Sequence, residues 1–496
     1  MLGRSTVDAA LIWHSNAGQV AGSLTEMVRH NSGSPSPMVN PVQNRIVDRL
    51  DHRLVIVLTV LGFGLPLIGY FSFLSHYSVN VVVGDQWNDV TVIRGSYLHF
   101  FDWGQMWAQA NENRIFFPNV IVILLAHFGH FNIQIEEWIS ALMLSTATGL
   151  LIWAHKRRSP STPWLYYCPV AFLLLTFVQW ENTFWGFQMA WYLVMVSLAV
   201  TIVLLDRVIL TWPYLLAAMM AAAVGSFSSL QGLLIWIVGL VLLYFRRRSW
   251  SNIGLWVAGA AASSVLYFHN LALPTAATSS FNVRHPLFVA RFFLVSIGDV
   301  LGQKVNIGAS TSETAPMELF GLLIVILAIG TVVICGFRRD ENGGSPVGVA
   351  LICFGLLFAA IVTDGRAYMG IWEAGSSRYT TFDILILVGT YLALLGRRPS
   401  SRMLGTGWAE ALTLPIVRVL VVLAIAVQIV FAIPNGIQNE RSNHGFNVKA
   451  ASVLRNIDRA SNGDVRFYLF IFESDAFIRQ RARVLQEHHL SVFSND

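Results

Sequence analysis

The sequence predicts an all-α polytopic membrane protein, and three observations support this class: its composition, its apolar runs and the position of its basic residues. Hydrophobic residues make up 55% of the 496 residues and charged residues 12%, whereas about a quarter of the residues of a soluble domain are charged. Runs of roughly 16–22 apolar residues recur along the chain, and such a run can cross a hydrocarbon core about 30 Å thick. Short basic tracts separate several of the runs, as the positive-inside rule describes.

About eleven apolar runs are predicted to cross the membrane, and arginines before the first run place its start in the cytoplasm. The predicted crossings are residues 54–75, 137–155, 164–179, 187–205, 212–226, 230–245, 252–271, 316–336, 346–363, 381–396 and 414–433. This topology places the N-terminus in the cytoplasm and the C-terminus on the opposite, outer side.

Two further segments leave the number of crossings open. The basic tracts share one side only if residues 76–136 make no net crossing and residues 286–303 make an even number or none. These tracts are HKRR (155–158), FRRR (245–248), FRRD (337–340) and GRRPSSR (396–402). Pro118 and the short length of the apolar segment 115–128 favour a re-entrant or in-plane helix. If 115–131 and 286–303 both span, the count becomes about thirteen.

Three regions follow from this topology. Residues 1–53 are polar and are predicted to be a disordered cytoplasmic leader, too long for a signal peptide. Residues 54–433 form the transmembrane domain, with an in-plane helix at 97–110 in the first outer loop. Residues 434–496 form a small outer tail of mixed α/β structure. Its predicted elements are a helix at 446–460, a strand at 465–472 and a helix at 475–489.

The residues present disfavour several classes of function. The basic tracts account for the net charge of +5 without a nucleic-acid partner. Cys168, Cys335 and Cys353 lie within apolar runs, so no disulfide framework is predicted. His127 and His130 have no acidic or cysteine partner close in sequence, so no metal or other cofactor is predicted. No P-loop, Rossmann fingerprint or nucleophile elbow occurs, and the absence of an internal repeat weakens an inverted-repeat transporter.

The predicted topology brings the unusual polar segments to the outer side, so any chemistry is expected there. These segments are GDQWNDV (84–90), ANENRIFFPN (110–119), QWENTFWGFQ (179–188), GSFSSLQG (225–232), PTAATSSFNVRHP (274–286) and TDGRAYMGIWEAGSSRYT (363–380).

Acidic residues in the first outer loop are candidates for catalysis and binding. Asp85 and Asp89 are four residues apart, so on a helix they share a face and one could act as a general base. The alternative is a solvated loop. Glu112 and Arg114 stand beside an apolar run and could bind a sugar or a phosphate. They could equally cap the helix, with Arg114 reaching the lipid head groups.

Two later outer segments add aromatic and basic candidates. Glu181 and Gln188 are interleaved with tryptophans, a composition suited to carbohydrate or lipid head groups, although tryptophan is enriched at membrane interfaces in any case. Arg366 and Arg378, with Tyr379 next in the chain, lie on the side where orientation rules do not favour positive charge. Arginine matches phosphate oxygens in bidentate geometry, and the alternative is pairing with nearby acids.

With these segments in place, the chain resembles bacterial polytopic membrane proteins of the glycosyltransferase C superfamily. The matching stretches are scattered over most of residues 80–390, in the expected order. They are GDQW (84–87), NENRI (111–115), QWENTFWGFQ (179–188), FSSLQGLLIW (227–236) and GSSRYTTF (375–382). Two departures stand out: the acids of the first loop, Asp85 and Asp89, are not adjacent, and Asn113 replaces a histidine of the related pattern.

The resemblance implies a transferase that uses a polyprenyl-phosphate-linked sugar at the outer face of the bacterial inner membrane. The acceptor would be a cell-envelope glycan or lipid. Asp85 would be the catalytic base, and Arg378, helped by Arg366, would stabilise the leaving phosphate. The positions that would bind donor and acceptor are Asp89, Glu112, Arg114, Glu181, Gln188, Arg366, Arg378 and Tyr379. Two alternatives remain: a transporter or flippase of lipid-linked glycans, and a polysaccharide polymerase or ligase.

Overall fold

The computed structural model describes residues 51–98, 102–272, 277–336, 345–395 and 407–494, and most of them form helices. Among these residues, 7 helices are long and apolar enough to cross a membrane. They are His52–Tyr77, Ile133–Arg158, Gly186–Leu205, Trp250–Phe268, Thr311–Cys335, Ser345–Met369 and Leu414–Arg455. The predicted class, an all-α polytopic membrane protein, is confirmed.

Shorter helices complete the bundle and its polar segments. The shorter α-helices are Trp87–Leu98, Trp103–Met106, Phe116–Phe128, Cys168–Leu174, Trp180–Thr183, Trp212–Ser226, Leu234–Phe245, Ala277–Arg284, Pro286–Gly298, Ile371–Ala374, Thr380–Leu394, Asn462–Tyr468 and Asp475–Glu487. The 3-10 turns are Gly84–Gln86, Trp164–Tyr167, Phe177–Gln179, Gly186–Gln188, Leu230–Leu233, Asp299–Leu301, Ala367–Met369, Ser377–Tyr379 and Ser491–Phe493. Strands Gln109–Ala110 and Asn113–Arg114 pair as an antiparallel hairpin.

Ten of the predicted crossings coincide with a helix, and the predicted crossing 164–179 is instead broken into short pieces. At the break, the amide of Gln179 donates to the Leu174 carbonyl at 2.7 Å and to the Thr176 carbonyl at 3.2 Å. A side chain therefore supplies the hydrogen bonds that the backbone loses, which an apolar surrounding requires. The two ambiguous segments form helices of 13 residues each, Phe116–Phe128 and Pro286–Gly298. The number of crossings stays a prediction.

The in-plane helix predicted at 97–110 is not continuous, since only its parts 97–98 and Trp103–Met106 are helical among the described residues and Gln109–Ala110 is a strand. The helix Trp87–Leu98 ends first, and a new one starts because the Asp102 carboxylate accepts hydrogen bonds from the backbone of Gly104 at 3.0 Å and Gln105 at 3.2 Å. The chain then reverses through the hairpin at Asn111, whose φ of 51° lies in the left-handed region that asparagine tolerates.

The predicted strand at 465–472 is also wrong, so the tail is helical rather than α/β. Ser461 caps the helix Asn462–Tyr468 by accepting a hydrogen bond from the backbone of Asp464 at 3.0 Å. In the described part of the tail no second strand is present to pair with 465–472, and an unpaired strand leaves its backbone groups unsatisfied. The helix predicted at 475–489 is confirmed as Asp475–Glu487.

The tail packs onto the segment 81–93 through a hydrophobic cluster of its own. This cluster joins residues of the segment 81–93 to residues of the long last helix and of the two tail helices. Its fully buried members include Val82, Trp87, Val90, Leu454, Val465, Ile478 and Leu485. The predicted boundary at 433/434 falls inside the helix Gly407–Arg455. The predicted leader, apart from residues 51–53, lies outside the described residues.

Candidate functional site

Polar segments that are distant in sequence meet at one end of the bundle, called the polar end below. The Asn111 amide donates to the Asp85 carboxylate at 3.3 Å, and Arg366 forms an ion pair with Glu112. The backbone N–H of Arg378 donates to the Glu181 carboxylate at 2.9 Å. The sequence segments around these residues therefore form one site.

A cavity of about 560 Å³ opens beside the segments 85–92 and 105–119. Its lining mixes acids and amides with apolar side chains. The lining residues are Asp85, Asn88, Asp89, Thr91, Val92, Gln105, Ala108, Gln109, Ala110, Asn111, Ile115, Asn119, Phe470, Phe472, Glu473 and Arg481. We call it the acid cavity.

A second cavity of about 350 Å³ lies on the other side of Asp85 and is richer in aromatic residues. Its lining residues are Val83, Gly84, Asp85, Trp180, Glu181, Phe184, Trp185, Arg378, Asn443, Phe446, Asn447, Phe467, Tyr468, Leu469, Phe470, Ile471 and Phe472. We call it the aromatic cavity. Asp85, Phe470 and Phe472 line both cavities, so Asp85 stands where the two meet.

The backbone at Gly84 places Asp85 at this position. Gly84 has a φ of 59°, and a Cβ there would lie 3.0 Å from the Trp185 ring. Its N–H donates to the Leu469 carbonyl at 2.7 Å, and the Trp185 indole N–H donates to the Val83 carbonyl at 3.1 Å. The turn that carries Asp85 is therefore fastened both to the 179–188 segment and to the tail.

Asp85 is an acid with few partners. Besides Asn111, no side chain in the described ranges donates a hydrogen bond to it. Burial raises the pKa of the Asp85 carboxyl, and Glu112 also raises it, while the charges of Arg378 and Arg366 and the Asn111 hydrogen bond oppose the shift. A carboxylate with a raised pKa is a stronger base once it is ionised, as proton transfer from a hydroxyl requires.

Asp89 lies one helical turn further on and is only 3% exposed. Burial, and then the negative charge of Asp85, raise the pKa of Asp89 well above its ordinary value. The pKa of Asp89 is therefore raised further than that of Asp85, so Asp89 is the harder of the two acids to ionise. This arrangement suits Asp85 as the base and Asp89 as a supporting group.

The sequence alone does not predict the carboxylate that supports this turn, Glu136. The Gln86 amide donates to Glu136 Oε2 at 2.7 Å, and both side chains are fully buried. Gly186 packs directly on this pair, because a Cβ at that position would collide with the Glu136 carboxylate. The glycine inside QWENTFWGFQ is the only sequence signal of this contact.

Arg378 extends into the aromatic cavity from the turn Ser377–Tyr379. It donates through one nitrogen, Nη2, to Glu373 Oε1 at 2.5 Å and to the Tyr379 hydroxyl at 3.4 Å. The Tyr379 hydroxyl donates to the same Glu373 oxygen at 2.5 Å. Glu373 thus holds Arg378 in place. The other N–H groups of the Arg378 guanidinium have no acceptor among the described residues.

Glu181 lines the aromatic cavity, but its carboxylate oxygen Oε2 is already occupied. It accepts hydrogen bonds from the hydroxyls of Ser376 at 2.9 Å and Ser377 at 3.2 Å, and from the Arg378 backbone N–H. This contact fixes the turn that carries Arg378. Glu181 therefore positions that arginine.

The remaining predicted site residues are not in the lining of either cavity. Arg114 is buried and donates to the carbonyls of Trp107 at 2.6 Å and His269 at 2.8 Å, which fixes the hairpin. Gln188 is buried, and its amide oxygen has no donor in the described parts of the chain. Glu112 and Arg366 pair with one another near Asp85.

The tail contributes residues that the sequence analysis treats only as secondary structure. Phe470, Phe472, Glu473 and Arg481 all line the acid cavity. Arg481 donates to the Thr91 hydroxyl at 2.9 Å, which fastens the tail to the helix that carries Asp89. The run FYLFIFES (467–474), which combines aromatic residues with an acid, was the sequence signal for these lining residues. Its alternating side chains also suit a strand, which is how the sequence was interpreted.

Metal ligands do not cluster at the site. Within the described ranges, no group of three or more histidine, cysteine, aspartate or glutamate side chains has a geometry that could hold a metal ion. Ser96 lies 3.1 Å from the His127 ring, so the histidine that the sequence singles out has a neutral partner.

Comparison with known proteins gives one structural likeness. No protein-family model and no curated protein matches the chain. The chain is similar to the crystal structure of ArnT from Cupriavidus metallidurans bound to undecaprenyl phosphate, at 14% identity and a TM-score of 0.44. The match covers 87% of this chain and 88% of that one.

Proposed function

We propose that the protein is a membrane glycosyltransferase that moves a sugar from a polyprenyl-phosphate donor to a hydroxyl of a cell-envelope glycan or lipid. The observation that carries the proposal is the position of Asp85 at the junction of two cavities. A transfer reaction needs donor and acceptor on two sides of one reacting centre, with a base beside the acceptor hydroxyl.

The aromatic cavity suits the donor. Trp180 and Trp185 offer ring faces to a sugar, and Arg378 offers N–H groups to the phosphate. Because Glu373 already fixes the guanidinium, little side-chain freedom is lost when a phosphate binds. The lipid phosphate is itself the leaving group, so no nucleotide site is needed.

The acid cavity suits the acceptor. The Asp85 carboxylate takes the proton of the acceptor hydroxyl as its oxygen attacks the anomeric carbon. The bond from that carbon to the phosphate oxygen breaks, and polyprenyl phosphate leaves with the electron pair. Arg378 stabilises the charge that develops on it. Asp89 and Asn111 hold polar groups of the acceptor beside the base.

The decisive experiment compares Asp85→Asn with the parent protein in two assays. In a deletion strain, the composition of the envelope glycan reports transfer. With the purified full chain, native mass spectrometry reports binding of undecaprenyl phosphate. We expect the product to fall by about 10²–10⁴-fold, the usual contribution of a general base, with lipid binding retained.

The matched control is Asp458→Asn, which removes an exposed carboxylate from the tail and is expected to leave both readouts unchanged. Normal product from Asp85→Asn overturns the role of this residue as the base. If the parent instead moves a lipid-linked sugar between leaflets without forming a new glycosidic bond, the protein is a flippase and the proposal is wrong.

A further inference from the structure

The opposite end of the bundle carries a cluster of arginines around one carboxylate. Glu136 at the polar end and Arg158 are 22 residues apart on the helix Ile133–Arg158, which corresponds to roughly 33 Å along the axis. At this second end the fully buried Asp206 contacts Arg158 at 3.0 Å, Arg246 at 2.5 Å and Arg157 at 3.6 Å. We call these residues, together with Arg207 and Arg248, the Asp206 cluster.

Positive charge exceeds negative charge in this cluster. Five guanidinium groups stand against one carboxylate, which leaves a surplus of four positive charges among these described residues. Arg248 donates to the backbone carbonyls of Arg207 and of Val208. Burial, and then the charges of Arg158 and Arg246, lower the pKa of Arg248. The arginines therefore repel one another, and a further anion would relieve that repulsion.

The donors of the cluster also outnumber its acceptors. The Nε–H groups of Arg157, Arg207 and Arg248 have no acceptor among the described residues. Arg157 and Arg207 are only half-buried, so part of each side chain is accessible from outside, although Nη2 of Arg157 also donates to the Val203 carbonyl at 3.1 Å. Arginine presents a planar fork of N–H donors that fits the oxygens of a phosphate.

Interfacial side chains surround the cluster and indicate where it lies in a membrane. The Arg157 guanidinium is 4.9 Å from the centre of the Trp153 ring, and Arg207 is 3.7 Å from that of Tyr214. Exposed aromatic and aliphatic residues are Trp153, Trp164, Val208, Ile209, Trp212, Tyr244 and Trp250. Tryptophan and tyrosine are enriched at the level of lipid head groups, and the aliphatic residues can contact acyl chains.

We propose that the Asp206 cluster binds the phosphate of an anionic phospholipid, with Arg157 and Arg207 as its outward donors. Arg158 and Arg246 hold Asp206 and form the base of the site. A phospholipid fits better than free phosphate, because exposed apolar side chains adjoin the arginines. The site is separate from the one at the polar end and does not depend on the proposed transfer reaction.

The test uses the full chain in a neutral detergent and measures lipid binding by native mass spectrometry. The probes are phosphatidylglycerol, phosphatidylcholine and soluble glycerol phosphate. We expect about ten-fold tighter binding of phosphatidylglycerol than of phosphatidylcholine, because both carry the phosphate but the choline cation of the second is repelled by the surplus positive charge of the cluster. Raising the salt concentration should reduce this preference, because the contact is partly exposed.

The variant Arg157→Gln/Arg207→Gln should lose the preference while Asp206 keeps Arg158 and Arg246. The matched control, Arg455→Gln/Arg459→Gln, removes two exposed charges near the tail and should keep it. Equal binding of the two lipids by the parent protein, or a preference that does not respond to salt, overturns the proposal without any variant. Displacement of the lipid by an equal concentration of glycerol phosphate indicates a free-phosphate site and also overturns it.

Discussion

The two ends of the bundle both place carboxylates among arginines, but they do so in opposite ways. At one end, Asp206 is fully buried and three guanidinium groups contact its two oxygens. At the other, Asp85 accepts one side-chain hydrogen bond at 3.3 Å from the described residues and lines two cavities. Both carboxylates lie near arginines, so that proximity does not distinguish them. The number of hydrogen-bond and ion-pair partners does: a structural acid has many, and an acid available for chemistry has few.

The same distinction applies within the polar end. Glu373 Oε1 accepts hydrogen bonds from Arg378 and Tyr379, and Glu181 Oε2 accepts them from two serine hydroxyls and a backbone N–H. Both hold an arginine-bearing turn in place. Among the acids that the sequence nominates there, Asp85 and Asp89 keep oxygens available to the acid cavity.

The largest effect on stability is expected at the saturated acid. Asp206→Asn leaves Arg158 and Arg246 buried without a counter-charge, and breaking a buried ion pair costs about 3–5 kcal/mol. Thermal unfolding of the purified protein in detergent measures the loss, with Asp458→Asn as the control. If Asp206→Asn unfolds at the temperature of the parent, the description of Asp206 as a structural acid is wrong.

The next largest effect is expected where Gly186 meets the Glu136 carboxylate. Gly186→Ala forces the Gln86–Glu136 pair apart, and overpacking of this kind costs about 1–3 kcal/mol. Product formation should fall as well, because Gln86 belongs to the turn that carries Asp85. Gly64→Ala is the control, since a Cβ there meets no atom within 4 Å. Equal unfolding temperatures for the two variants would show that Glu136 does not support the turn.

A smaller effect is expected on the pH dependence of transfer. The base must be ionised, so activity should rise with pH through the pKa of Asp85, which lies above the ordinary value of 3.8. Asn111→Gly keeps the positive φ but removes the hydrogen bond that lowers this pKa. The acidic limb of the pH–rate profile should therefore move to higher pH. A shift to lower pH would contradict the assignment of that limb to Asp85.

The smallest effect is expected at the partly exposed ion pair. Glu112→Gln should cost less than about 1 kcal/mol of stability, as surface pairs do. It removes a negative charge that raises the pKa of Asp85, so the acidic limb should move to lower pH, opposite to Asn111→Gly. Glu318→Gln is the control, because it breaks the comparable Arg291 pair away from Asp85 and should leave the limb in place. If Glu112→Gln and Glu318→Gln give the same pH–rate profile, Glu112 does not influence the ionisation of Asp85.

Much of the architecture was predictable because apolar length and basic flanks act locally. The helices at 52–77 and 133–158 follow from apolar runs long enough to cross a bilayer. The arginines at 157–158 end the second run, as the positive-inside rule describes for the ends of such runs. The predicted topology also places the polar segments at one end of the bundle, where the structure brings several of them together. Local signals failed at 97–110 and 465–472, where the Asp102 and Ser461 caps redirect the chain.

The sequence by itself determined a polytopic helical protein with its polar segments gathered at one end and Asp85 among the candidate acids. Only the tertiary structure decided that Arg114 binds backbone carbonyls, that Arg378 enters a cavity, and that the tail forms part of both cavity walls. The physical reason is that membrane insertion depends on the composition of each segment alone. Whether a carboxylate or guanidinium is available depends on which partners, distant in sequence, satisfy its hydrogen bonds.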